Sequence, residues 1–203
     1  MPGFTRALAP LAMCAAVGAV SACSTSPPVA GTSTGSTSAS ASAAERCPGP
    51  SLRVALGPSM SPMTGEHAVV LAVTTTSVAA CWVAGYPNVT LADSHGSPLT
   101  FRYERGVGPY VTHASPAQVI IGPDRQAYVL VAKYRCDDGQ EDRAASLRVA
   151  LPGQATAVGV ALPDVPGVGQ LWRCAGPGTS DPGNTVSLSP LVSSITAAAG
   201  VGQ

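Results

Sequence analysis

The chain has 203 residues, 11 basic and 11 acidic side chains, a formal net charge of +0 and one lysine, Lys133. That balance excludes the basic stripe a nucleic-acid partner needs, and it excludes electrostatic attachment to anionic lipid. The weight of Ala, Gly, Pro, Ser, Thr and Val is the bias of a GC-rich genome, such as an actinobacterial one.

Residues 1–22 have the layout of a secretory signal: one early cation, Arg6, then an apolar run over 7–20 broken only by Pro10 and Gly18. The run is too short for a membrane span, which takes roughly 20 apolar residues. It ends in Val20-Ser21-Ala22-Cys23, an aliphatic residue, two small ones and a cysteine. This resembles a bacterial lipobox, in which the thiol becomes a diacylglycerol thioether and the peptidase requires small groups beside the cut. The expectation is cleavage before Cys23 and lipidation at Cys23. The protein would then sit on the extracytoplasmic face of the cell membrane, held there by lipid. Cys14 fits less well, because the bulky Met13 precedes it and it lies within the apolar run.

Residues 23–46 comprise the lipidated cysteine and then a run rich in Ser, Thr, Gly and Ala with no apolar periodicity. Such a segment buries nothing to offset the entropy of ordering, so a disordered tether is expected. A flexible chain of this length spans roughly 25–30 Å on average. Gly31-Thr32-Ser33-Thr34-Gly35 matches a hydrolase elbow in letters only, since that motif needs a strand before the serine and a helix after it.

Composition changes at Cys47. Ser51-Leu52-Arg53-Val54-Ala55-Leu56 alternates with period two, the pattern of a half-buried strand. Further runs lie at 68–75, 89–92, 99–104, 118–121, 127–135, 146–151, 155–162 and 185–188, with Gly, Pro and Asp turns between many of them. Residues 146–151 repeat 51–56 letter for letter, but the match extends no further, so it reads as convergent patterning rather than duplication. No sustained helical period appears. The expectation is all-β: a single antiparallel β-sandwich of immunoglobulin-like type with two disulfides over 47–192, followed by a flexible tail at 193–203.

Cys47, Cys81, Cys136 and Cys174 are an even set in an exported chain, which favours disulfides over thiol chemistry or metal binding. None has Cys-x-x-Cys spacing. Three connectivities are possible. Chain order favours Cys47–Cys81 and Cys136–Cys174, which tie neighbouring strand ends.

A first cysteine before an alternating strand, then Ala80-Cys81-Trp82-Val83-Ala84-Gly85-Tyr86-Pro87-Asn88-Val89, Leu91-Ala92-Asp93, Gly96 and Leu99, with later lone cysteines, resembles the domain of unknown function 4232 family over about residues 47–174. The resemblance implies an exported β-rich domain, mostly actinobacterial. It implies no activity and no catalytic residues.

Candidate chemistry is sparse. His67, His95 and His113 lack metal-ligand spacing, and Met63 stands where a zinc motif ending in Glu66-His67 would need its first histidine. Met60, Met63 and His67 offer thioethers and an imidazole, the donor set for Cu(I). Asp137, Asp138, Glu141 and Asp142 surround Gly139 at spacings that fit no calcium loop. Trp82 and Trp172 lie near cysteines and read as packing residues. The leading expectation is a non-enzymatic envelope binding module, with a cell-wall or envelope protein as partner and no cofactor. The alternative is a hydrolase or copper-handling protein whose site assembles in the fold.

Overall fold

The computed structural model describes residues 44–60, 65–137, 139–164, 170–176 and 181–200. Residues 1–43, with the signal, Cys23 and most of the tether, lie outside the described residues, as do Met63 and Asp138.

Twelve strands carry the described fold. They are β1 Leu52–Leu56, β2 Glu66–Thr75, β3 Cys81–Val83, β4 Asn88–Ala92, β5 Arg102–Arg105, β6 Val119–Ile121, β7 Ala127–Tyr134, β8 Gln140–Arg143, β9 Ser146–Ala150, β10 Val158–Ala161, β11 Trp172–Cys174 and β12 Thr185–Leu188. Helix α1 is one turn, Ile195–Ala198. Five strands form the main sheet in the order β1-β2-β7-β12-β5. A second sheet runs β10-β9-β4, and β11-β8 and β3-β6 are two-stranded.

The core follows from strand alternation. Val69, Leu71 and Val73 of β2, Val129 and Val131 of β7, and Val186 and Leu188 of β12 share one face. They pack in a single buried cluster with Val89 and Leu91 of β4 and with Leu147 and Val149 of β9. Two sheets thus bury one apolar layer between them, as the sandwich reading expects. Among the pairs of described strands, one departs from the all-antiparallel expectation: β12 runs parallel to β5, Thr185 opposite Arg102 and Leu188 opposite Arg105. The long chain between these strands permits the crossover that a parallel pair requires.

The repeated hexapeptide shows what pattern alone leaves open. In β9, at the centre of its sheet, Leu147 and Val149 are both fully buried. In β1, at a sheet edge, Leu52 is buried but Leu56 is 38% exposed. Identical residues form strands in both places; position in the sheet decides how much each buries.

The main sheet's outer face is covered by a smaller cluster: Val70, Leu130 and Ala132 pack against Val111 and against Ala198 and Ala199. Within 193–203, expected as a flexible tail, Ile195–Ala198 form α1 on this face. Ser194 caps the turn, its hydroxyl accepting from the Ala197 amide (3.1 Å). The small alanines allow the turn to lie close, and the Thr112 amide donates to the Ala198 carbonyl (2.8 Å).

Candidate functional site

The outer face of the main sheet also carries a cleft of roughly 270 Å³ beside that cluster. Alternation puts Glu66 of β2, Tyr134 of β7, Ser187 of β12 and Glu104 of β5 on its floor, and Tyr110 comes over it from the loop at 106–112. The loop is held at both ends. The Gly106 amide donates to the Leu188 carbonyl (2.9 Å), and Thr112 is tied to α1. Between these anchors Gly108 has a positive φ of 113°, and a Cβ there would lie 2.5 Å from Ser187 Oγ. A side chain at 108 would be strained at that φ and would crowd Ser187.

Glu66 is the unusual group. It is 7% exposed, and Oε2 is buried without a hydrogen-bond partner among the described residues. Burial pushes its carboxyl up to about 8, against the opposing pull of Lys133 and a hydrogen bond with Tyr110. None of the ion pairs among the described residues includes it. At neutral pH Glu66 is therefore a neutral acid that can both donate and accept a hydrogen bond. The cation on the same floor, Arg102, is engaged elsewhere, with Glu104 (3.2 Å) and the Thr185 hydroxyl (2.7 Å).

Lys133 lies on the opposite face of β7, in line with Val131 and the core. It is 2% exposed. Its Nζ donates to the Tyr134 carbonyl (2.7 Å) and lies 3.8 Å from the sulfurs of both Cys136 and Cys174. Burial brings it down to about 8, opposed by Asp181 and Glu66. Asp181 is itself buried, its carboxylate accepting from the amides of Asp137 (3.0 Å) and Gly183 (2.7 Å).

The four core cysteines are joined as Cys47–Cys81 and Cys136–Cys174. Trp82 is half-buried beneath the Arg46 guanidinium, 4.7 Å from its ring centre, and Trp172 stands next to the second bridge on β11. The histidines are dispersed. His67 faces the Lys133 side of β2 and is held below its usual range by burial and by that cation. His95 sits in an exposed turn whose Asp93 carboxylate accepts from the His95 and Ser97 amides rather than from the imidazole. The ring of His113 contacts the Gly108 carbonyl (2.7 Å).

Met60 packs against the outer cluster with Ala68, on the face of β2 opposite His67, so the fold does not bring these two proposed copper donors together. In the acidic cluster, Glu141 pairs with Arg173 and Asp137 with Arg135 (3.7 Å). A larger cleft of roughly 540 Å³ lies between the Asp93 turn and β8, but its cation, Arg143, is paired with Asp164 and donates to the Pro163 carbonyl.

The model for the family described as Domain of unknown function (DUF4232) matches residues 47–190. The chain belongs to this family. No curated protein and no solved structure matches it. In this DUF4232 domain the Cys-x-x-x-Gly-Tyr-Pro segment builds the frame. Cys81 bonds to Cys47, Gly85 takes a positive φ of 106° against Pro152, and Pro87 is buried. The Leu191 amide donates to the Gly85 carbonyl (2.9 Å). The resemblance therefore marked a structural corner, and it gave no sign of Glu66 or Tyr110. The available signal was the lone acid heading the apolar run of β2.

Proposed function

We propose that this protein is a lipid-anchored envelope protein whose DUF4232 domain binds a small polar molecule in the cleft over Glu66, without transforming it. The observation that carries the binding reading is the Glu66 carboxyl, buried at a cleft floor with one oxygen unpartnered. An orphaned buried oxygen costs about 1–3 kcal/mol, and a ligand hydroxyl or amine reaching it would recover that. The phenols of Tyr110 and Tyr134 supply further polar contacts and flat apolar surface. Among the described residues Ser187 on this floor has no base paired with it, which favours binding over turnover. The anchor reading rests on Val20-Ser21-Ala22-Cys23 and the tether behind it.

The two halves are tested separately. Cys23→Ala abolishes incorporation of labelled palmitate and releases the protein from membranes or leaves it uncleaved; label entering that variant would refute the anchor. Glu66→Ala keeps the anchor and loses the ligand, read as bound mass on protein released from its own envelope.

A further inference from the structure

We propose that the Cys136–Cys174 bridge is a thiol-exchange site, opened by a dithiol reductant while the rest of the domain stays folded, with Lys133 receiving the departing thiolate. The geometry is specific to this bridge. Cys136 is half-buried and Cys174 fully buried, so an incoming thiolate meets Cys136 Sγ first and Cys174 is the leaving group. A thiolate leaves faster when a neighbouring cation lowers its pKa, and the Lys133 ammonium already lies 3.8 Å from that sulfur. Asp181 is the competing anion for Lys133. Its carboxylate also holds the amides of Asp137 and Gly183, so it is fixed in place.

The same neighbours make the bridge redundant for local structure. Asn184 binds both backbone groups of Cys174: its Oδ1 accepts from the amide (2.7 Å) and its Nδ2 donates to the carbonyl (3.2 Å). Asp181 secures the chain beside Cys136. Both cysteines therefore keep their places after the S–S bond is cut. The step balances: one thiolate of the dithiol forms a mixed disulfide with Cys136 and Cys174 departs as thiolate. The second thiol of the dithiol then displaces Cys136. The dithiol is oxidised to a disulfide and the protein gains two thiols. Cys47–Cys81 has no lysine at its sulfurs and serves as an internal control.

The test treats the folded full-length protein with dithiothreitol at neutral pH, quenches by alkylation and maps the peptides over time. Cys136 and Cys174 are expected to be alkylated at least tenfold faster than Cys47 and Cys81, with the circular dichroism spectrum unchanged. Lys133→Met should slow that opening at least tenfold, and Lys133→Arg should restore most of it. If Lys133→Met merely unfolded the chain, both bridges would open together and faster. Equal rates for the two bridges in the native protein would overturn the proposal, as would a Lys133→Met rate equal to the native one.

Discussion

Replacing both Cys47 and Cys81 by Ala lowers stability by about 4 kcal/mol. The bridge spans a sequence separation of 34, and the chain-entropy relation assigns a closure of that length roughly 4 kcal/mol through the unfolded state. The native state loses contacts as well. Both sulfurs belong to the main core with Val83 and Ile121, and the bridge holds the entry of the domain against β3. There the Cys47 amide donates to the Trp82 carbonyl (2.9 Å) and the Trp82 amide to the Glu45 carbonyl (2.8 Å). In a domain of this size the loss corresponds to a melting point lower by roughly 10–15 °C, measurable by calorimetry. A drop of only a degree or two would show that the bridge decorates the fold rather than holding it.

Glu66 and Lys133 together give the domain a stability minimum near pH 8. Glu66 titrates near its ordinary value of 4.5 when unfolded and at about 8 when folded. Between those values the folded state holds a proton the unfolded state has lost, so stability is greatest below about 4.5 and falls as pH rises to 8. Lys133 acts in the other direction. It keeps its proton to 10.5 unfolded and loses it at about 8 folded, so its contribution is present above 10.5 and is lost as pH falls through 8. His67, held below its usual range, offsets part of the Glu66 effect on the acid side. Glu66→Gln removes the falling limb, leaving the variant more stable than native at pH 8 by roughly 2–4 kcal/mol and nearly equal to it at pH 4.5. Urea unfolding across pH 4.5–8 reads this directly. Parallel profiles for the two proteins would mean that Glu66 ionises normally in the folded chain.

Much of the frame is legible from residue order because its causes are local. The apolar runs of β2 and β7 are long enough to show their period, and an even cysteine set in chain order gives the pairing found. Three short strands leave no such trace. β8 is Gln-Glu-Asp-Arg, with no apolar position to alternate, and β3 and β11 are three residues each, one of them a cysteine. The one-turn helix is equally silent, since four residues carry too little period to separate from a tail.

The candidate site is hidden for a different reason. Glu66 and Lys133 stand out as single charges in apolar strands, yet what makes them unusual comes from far along the chain. Tyr110 arrives on a loop and Asp181 on a turn before β12. No spacing rule connects 66 with 110, or 133 with 181; only the register of β2, β7 and β12 does. The Met60 and His67 pairing fails by the same logic, because Met60 lies before β2 and its spacing from His67 does not say which face of the sheet it packs on.

The central claim is that the cleft over Glu66 holds a ligand, and native mass spectrometry tests it most directly. The full-length protein is isolated under non-denaturing conditions from the cells that make it, alongside Glu66→Ala prepared in the same way. A calorimetric trace of each shows that both are folded. The expected result is a discrete added mass on the native protein, non-covalent and lost on denaturation, with the variant at its bare mass. The same added mass on Glu66→Ala, or a bare native protein, would contradict the account.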